Sequence, residues 1–573
     1  MDYMKEYERW LSFANAETIA ELEEIKNDKK EIEERFYTTL EFGTAGLRGV
    51  IGAGPNRMNS YVVGQATQGL ANQLLKTNTE NKPLSVAIAY DSRIKSDEFA
   101  RTAASVLAAN GIKVYLFDEL KPVPELSFAI RYKNTSAGIV VTASHNPAKY
   151  NGYKVYGADG AQLNPELASI VLDEIEKTDI FTGVKSCDFN EAVNNGIIEL
   201  IGEEVEEAYL DCVEAQSINP ELVREKGDTL KFVYTPFHGA GNKPVRKILK
   251  RLGFNNVVVV KEQEMPDGNF PTVASPNPEN KEGFELAIGY AKDCGADLII
   301  GTDPDADRVG IIVKNKDGEY QTFTGNQVGA LLTEYILSSL KERGELASDG
   351  YVVKTIVTTN LIQSICAEYG VEMKEVLTGF KFIGEKIKES EITGIGTYLF
   401  GFEESYGYLK GTYARDKDAV VATMLIAEMT LYYRENGSSL AEQMENIYKK
   451  YGYYLEYVES VVMEGKDGLE KISAVMESLR TNTPDTVAGK RVIAVRDYKT
   501  SLRTELESGK TKKILLPPSN VIYLELEDGN NFIVRPSGTE PKIKLYCLLR
   551  GSDRADAENL KELIKKDINE IVK

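Results

Sequence analysis

Four short stretches of this chain gather residue types that do chemistry. In TASHNP (142–147) Ser144 stands beside His145, one of only 2 histidines in 573 residues, and Lys154 follows a little further on. A serine hydroxyl is a weak nucleophile until something takes its proton or stabilises its product, and His145 and Lys154 are the candidates for that work. Asn146 and Pro147 favour a turn, so Ser144 is expected to be exposed at a strand end. A turn that merely caps the next element is the competing reading. No Gly-x-Ser-x-Gly elbow is present, which argues against an α/β-hydrolase nucleophile.

GTDPDADRVG (301–310) offers a second chemistry. Pro304 blocks a helix, so Asp303, Asp305 and Asp307 are expected to converge from alternate positions of an extended loop. Three crowded carboxylates repel one another unless a cation sits among them, and oxygen-only ligands favour Mg²⁺, Mn²⁺ or Ca²⁺ over zinc. An EF-hand fails: counting from Asp303, Arg308 stands where the loop needs glycine and Lys314 where it needs glutamate. GFEES (401–405) closes another apolar run with Glu403, Glu404 and Ser405, groups that can accept or share hydrogen bonds with sugar hydroxyls; a solvated acidic turn is the alternative. RPSGTEPK (535–542) brings Arg535, the Ser537 and Thr539 hydroxyls and the backbone around Gly538 into a candidate phosphate nest, against a plain β-turn. No GxxxxGK[ST] loop is present, so nucleoside triphosphate hydrolysis is not indicated.

These loops need strands to aim them. Short β-branched runs alternate with helical patterns: LSVAIAYDSR (84–93), a helical 96–111, KVYLF (113–117), a helical 124–133, AGIVVTAS (137–144). The rhythm returns at KFVYTP (231–236), NVVVVK (256–261) and ADLIIG (296–301), and again at YVVKTIV (351–357) and TYLFGFEES (397–405). Continuous apolar strands separated by helices indicate sheets covered on both faces, read here as three α/β units of one diverged repeat. Residues 2–35 read as amphipathic helix packed on the first unit. From about 450 the chain turns rich in Tyr and Val and ends in a helix near 555–571, which suggests a smaller α+β domain. Ligands in open α/β sheets bind beyond the carboxyl ends of strands, where all four loops lie.

Composition narrows the partners. A net charge of −20 argues against nucleic acid or an anionic membrane surface. It does not exclude a small anionic substrate, because local Arg and Lys outweigh distant screened charge. Five scattered cysteines without CxxC, and an opening MDYMKEYERW without a basic and apolar leader, point to a reducing cytoplasm, with no signal peptide and no membrane span. Nothing in the sequence specifies an oligomeric state.

In this order the four loops resemble the α-D-phosphohexomutase superfamily, and the closest look is to its long, phosphoglucomutase-2-like bacterial branch. GTAGLRG (43–49) matches a fifth family element. The resemblance implies three similar α/β domains with mixed sheets plus a smaller C-terminal α+β domain, around an active site in a central cleft. The expected bounds are 1–205 with the phosphoserine loop, 206–320 with the metal loop, 321–445 with the sugar loop and 446–573 with the phosphate loop. It implies that Ser144 carries a phosphoryl group, and that its phosphate with Asp303, Asp305 and Asp307 binds Mg²⁺. Arg48 and Arg308 would lie against the transferring group or substrate, and His145 and Lys154 would assist proton transfer. Thr44, Thr378, Lys381, Glu403, Ser405 and Lys417 would contact the sugar phosphate, and Arg535, Ser537, Gly538 and Thr539 would clamp the non-reacting phosphate.

The activity implied is interconversion of glucose 1-phosphate and glucose 6-phosphate through glucose 1,6-bisphosphate, which serves as activator and intermediate. Phosphomannomutase, phosphopentomutase and glucose-1,6-bisphosphate synthase use the same chemistry, and the residues alone allow phosphorylation on His145 instead. Three departures bear on the sugar: Phe402 precedes Glu403 where many relatives have glycine, Tyr406-Gly407 follow Ser405 where many have Gly-His, and Ala419 replaces a usual glycine after RDKD. A haloacid-dehalogenase-type hydrolase wants Asp-x-Asp-x-Thr or Val, but Asp307 follows Ala306. A non-catalytic phosphosugar-binding protein is disfavoured because every expected reactive residue is present. The second histidine, His238, is read as structural.

Overall fold

A computed structural model describes residues 2–43, 46–463, 465–537 and 542–571. Thr44, Gly538 and Thr539, three of the expected substrate contacts, lie outside the described residues. The chain gathers into two compact units. The first holds residues up to 323 together with 384–394 and 406–432; the second holds 324–383, 395–405 and the chain from 433 onward.

In the first unit, β1 (Gly46–Val50), β2 (Ser85–Tyr90), β3 (Lys113–Phe117), β4 (Ala137–Val141), β5 (Tyr150–Gly157) and β6 (Ile198–Ile201) form one sheet in the order β1-β5-β4-β2-β3-β6. The strands from β4 through β2 and β3 to β6 run parallel, and β5 and β1 are antiparallel at one edge. A second sheet repeats the plan. Its strands β7 (Phe232–Thr235), β8 (Val257–Val259), β9 (Leu298–Thr302), β10 (Val309–Lys314) and β11 (Tyr320–Phe323) lie in the order β11-β10-β9-β7-β8. Here β9, β7 and β8 are parallel, with β10 and β11 antiparallel at the edge. The strand that ends each parallel run, β4 or β9, turns directly into its antiparallel neighbour. That turn carries Ser144 in one sheet and the three aspartates in the other.

Helices cover the first sheet because their apolar residues recur at helical spacing. The helix Ser60–Thr77 buries Val62, Val63, Ala66, Leu70 and Leu74, and the Asn59 side chain caps it by accepting from the Val62 amide. The N-terminal segment is three helices, Tyr3–Phe13, Ala16–Glu24 and Lys29–Phe36, restarted at the caps Asn15 and Asp28. They deliver Trp10, fully buried, into edge-on contact with Phe36, Tyr61 and Phe181 at 5.3–5.9 Å between centroids.

In the second unit, β12 (Gly350–Thr355) pairs in parallel with β13 (Glu372–Val376) on one side and β14 (Thr397–Glu403) on the other. The strand β15 (Gly407–Leu409) follows in the sequence and belongs to the first unit. A capping box at Thr324 and Gln327 starts the helix Gly325–Glu342. The C-terminal region is an eight-stranded sheet with β16 (Tyr453–Val462), β17 (Thr486–Val487), β18 (Lys490–Asp497), β19 (Leu502–Glu505), β20 (Thr511–Lys513), β21 (Ile522–Leu526), β22 (Asn531–Pro536) and β23 (Lys542–Gly551). All its pairings are antiparallel. Alternate residues Ile522, Leu524 and Leu526, and Ile543, Leu545, Cys547 and Leu549, share a core with Leu560, Ile564 and Ile568 of the final helix, Arg554–Ile571. These alternate residues line one face, and the intervening Tyr523, Ile533, Tyr546 and Leu548 are buried on the other, so both faces of the central strands are covered. Among the described residues no helix is long and apolar enough to cross a membrane.

Candidate active site

The first unit brings together Arg48, Ser144, His145, Lys154, Asp303, Asp305, Asp307, Arg308 and Lys417. Ser144 is not exposed as its turn-rich sequence suggests: it keeps only 3% of its surface. The aspartate loop, distant in sequence, covers it, and the Ser144 hydroxyl donates to Asp303 Oδ2 at 2.9 Å. His145 Nδ1 lies 3.2 Å from the same Oγ. Burial, and then the neighbouring Arg308 and Arg48 cations, hold the imidazole well below the ordinary histidine range, so it is neutral. Ser144 itself adopts φ 52°, a left-handed backbone costly for a residue with a Cβ and common at functional turns.

The aspartate loop is also tighter than expected. It is a turn closed by the Ala306 amide donating to Asp303 O at 2.9 Å, with Ala306 at φ 46°, rather than an extended segment. The Asp307 and Arg308 amides both donate to Asp303 Oδ1, at 3.1 and 3.0 Å, so one carboxylate organises the whole loop. Gly239, in the loop after β7, packs directly beneath it. A Cβ there would stand 2.4 Å from the Pro304 Cα, which leaves room only for glycine.

The three carboxylates are buried and offer ligand oxygens within 4.8 Å of one another. Burial and mutual repulsion raise Asp303 and Asp307 above the usual carboxylate range. Asp305 is held below it, against the cost of burial, by the Lys154 ammonium 3.1 Å away. Asp305 Oδ1 and Asp307 Oδ1 are buried and accept no hydrogen bond. Orphaned anionic oxygens at this spacing suit a hard divalent cation. Lys417 reaches the same loop, 3.0 Å from Asp307 and 2.9 Å from Asp416. Arg308 pairs with Glu279 at 3.0 Å, and Arg48 donates to Asn146 at 3.4 Å.

Three side chains of this cluster escaped the sequence reading. Asp91 and Arg93 follow β2, and Thr142 precedes Ser144; all three are buried and hydrogen-bonded into the serine loop. The strand-end rule applied to YDSR would have found the first two. His238 is buried, with Nε2 2.9 Å from Thr272 Oγ1 and Nδ1 3.2 Å from Met265 O.

The second unit holds Thr378, Lys381, Glu403, Ser405, Arg535 and Ser537. Glu403 is buried and accepts from the Gly379 amide at 2.8 Å, which ties the 378–381 loop to the end of β14. Its neighbour Glu404 accepts from Thr355 and Thr358 hydroxyls, each at 3.3 Å. A fully buried Lys354 braces those threonines through the carbonyls of Thr355 and Thr358, at 3.2 and 3.0 Å. Arg535, at the end of β22, hydrogen-bonds Tyr546 of β23; the carboxylates Glu404 and Glu403 also act on that hydroxyl, whose pKa burial raises.

Comparison with known proteins agrees with this geometry. Residues 39–180, 207–318 and 324–451 match the family models for phosphoglucomutase/phosphomannomutase α/β/α domains I, II and III. A phosphoglucomutase of Staphylococcus haemolyticus is 41% identical over 95% of this chain and 96% of its own, and one of Staphylococcus saprophyticus is 37% identical over 97% and 98%. The Paramecium phosphoprotein parafusin, a phosphoglucomutase solved in an open form, superposes with a TM-score of 0.69 at 17% identity, over 93% of this chain and 96% of its own, and shares the fold. With three consecutive domain matches and full-length relatives at this identity, the chain belongs to the phosphoglucomutase/phosphomannomutase family of the α-D-phosphohexomutase superfamily.

Proposed function

We propose that this chain is a phosphoglucomutase that moves a phosphoryl group between O1 and O6 of glucose by way of phosphorylated Ser144 and glucose 1,6-bisphosphate. The observation that carries the reading is the Ser144 hydroxyl, shielded from water and within 3.2 Å of both a buried carboxylate and a neutral imidazole. Its support is the full-length likeness to phosphoglucomutases.

Phosphoryl transfer asks little covalent chemistry of a protein; it asks for alignment and charge neutralisation. In the first half-reaction the O6 hydroxyl of glucose 1-phosphate attacks phosphorus, the bond from phosphorus to Ser144 Oγ breaks, and glucose 1,6-bisphosphate forms. The proton released by O6 leaves to a base, and Ser144 Oγ regains a proton. His145 is placed to carry a proton at Oγ, and Lys154 to offset charge beside Asp305. The bisphosphate then reorients, and Ser144 attacks the phosphoryl on O1, leaving glucose 6-phosphate. Asp303, Asp305 and Asp307 would hold Mg²⁺ together with the Ser144 phosphate, and the ion would supply positive charge to the transferring oxygens. Arg48, Arg308 and Lys417 supply further positive charge from the protein side.

Glu403 and Ser405 would take sugar hydroxyls, with Thr44, Thr378 and Lys381 alongside. Arg535, Ser537, Gly538 and Thr539 would take the non-reacting phosphate, since a dianion needs several donors. The four domains are proposed at 1–205, 206–320, 321–445 and 446–573, with one functional loop in each. A reducing cytoplasm suits five cysteines that are all free.

The test is coupled turnover of glucose 1-phosphate, mannose 1-phosphate and ribose 1-phosphate with Mg²⁺ and trace glucose 1,6-bisphosphate, for the wild type and Ser144→Ala. Fastest turnover of glucose 1-phosphate and a loss on the order of 10⁴-fold or more in the variant are expected. Preference for mannose or ribose phosphate overturns the substrate and keeps the chemistry. An active Ser144→Ala protein overturns the carrier.

A further inference from the structure

We infer that Arg93 is the positioning residue of the Ser144 loop, acting with Asp91 and Thr142 to hold the reactive serine in its left-handed backbone. The inference rests on the reading of Ser144 as phosphoryl carrier and adds what makes that carrier stay aimed.

Arg93 keeps 3% of its surface, and its guanidinium donates to four carbonyls of one loop. Nη1 reaches Pro147 O at 3.1 Å and Tyr150 O at 3.0 Å, and Nη2 reaches the carbonyls of Ser144 and Asn146. Nε lies 3.3 Å from Asp91 Oδ2, and the Phe270 ring covers the guanidinium at 5.0 Å. A buried cation is costly unless it is paired and its donors are used; Asp91 pairs it, and both terminal nitrogens are used, while Nε makes no hydrogen bond. A planar fork with five donors can serve several carbonyls at once; an ammonium cannot reproduce that geometry.

The other side of Ser144 is held from the same carboxylate. Thr142 Oγ1 accepts from the Ser144 amide at 2.8 Å and lies 2.6 Å from Asp91 Oδ2 and 3.2 Å from Asp305 Oδ2. Asp91 Oδ1 accepts from the Arg93 amide and from Ser96 Oγ, at 2.9 and 2.7 Å, so it is itself fixed. The Ser144 amide is thus gripped by Thr142 and its carbonyl by Arg93, and both grips meet at Asp91. Backbone held at both ends leaves Oγ only its own torsion, and φ 52° persists because its surroundings over-determine it. Thr142 also ties this frame to the aspartate loop.

The expected consequence is selective. Misaiming a reacting atom by an ångström costs about 10²-fold in rate and leaves ground-state binding of substrate intact. The experiment uses dephosphorylated full-length wild type, Arg93→Lys and Arg93→Met. It follows phosphoryl uptake from glucose 1,6-bisphosphate by intact mass, steady-state kcat and KM for glucose 1-phosphate, and the melting temperature. Arg93→Lys is expected to fold, since a cation stays beside Asp91. It should lose about 10²-fold in both phosphorylation rate and kcat with KM within about threefold, and Arg93→Met should be slower still. If Arg93→Met does not fold, Arg93→Lys decides alone. Wild-type uptake rates in Arg93→Lys, or a raised KM with unchanged kcat, overturn the inference while Ser144 stands as carrier. A wild type that takes up no phosphoryl group on Ser144 overturns the carrier reading first, and the inference with it.

Discussion

Ser144 and Glu403 occupy equivalent places, each at the end of a strand that runs parallel to its inner neighbour, yet their surroundings differ. Ser144 is held by Thr142, two residues before it, and its loop is held from three sequence-distant segments: the Arg93 loop, the aspartate loop, and Ser275, whose hydroxyl donates to His145 O at 2.8 Å. Glu403 is buried, but Thr378, Ser405, Arg535 and Ser537, proposed above to bind the substrate with it, are only half-buried. The contrast separates two demands. A phosphoryl donor must be aimed closely and kept from water. A sugar-binding loop must also admit and release its ligand, so part of its polar surface stays open.

That contrast can be broken. Asp305→Asn should remove charge from the rigid cluster and lower kcat about 10²–10³-fold, with KM little changed and Mn²⁺ binding, read by titration, weakened. An Asp305→Asn protein impaired mainly in KM would abolish the distinction. Glu403→Gln should behave in the opposite sense: KM for glucose 1-phosphate rises roughly 30-fold, the value of one charge-assisted hydrogen bond, and kcat falls less. Steady-state kinetics that show the reverse ratio would place Glu403 in the chemical step.

The smallest effect is a shift in pH. Burial with Arg308 and Arg48 depresses the His145 pKa, so the folded protein binds that proton less readily than the unfolded chain does. The neutral imidazole should therefore persist below pH 6.5, and the acid limb of kcat should lie below that value. Protonation of the unfolded form costs stability as pH falls through the unfolded pKa. Arg48→Met removes one of the depressing charges, so its acid limb should move upward by a fraction of a unit. A downward move would show that Arg48 does not face the imidazole.

Much of this arrangement was legible in the sequence because strand-end loops are local. GIVVTAS and ADLIIGTD announce a strand and the polar group that closes it within a few residues, and both loops stand where the pattern puts them. What failed was burial. The exposure of Ser144 depends on a loop 159 residues away that no local pattern encodes. The extended form expected for the aspartate loop yielded to a turn because the Asp303 carboxylate collects two backbone amides, a choice made by side-chain geometry. Arg93 went unread for a related reason: an arginine after a strand normally faces water, and only four converging carbonyls make it an interior residue.

Trp10 gives the molecule an internal reporter. It is the chain's single tryptophan, it sits fully buried against Phe36, Tyr61 and Phe181, and its indole N–H has no hydrogen-bond partner. Its emission is expected at short wavelength and should redden when the N-terminal helices leave the first sheet. Because no second indole competes, fluorescence reads the unit that holds Ser144, while total heat absorbed reads both units. A denaturation followed by the two signals together therefore separates melting of the phosphoryl-transfer unit from melting of the Glu403 and Arg535 unit without any added label.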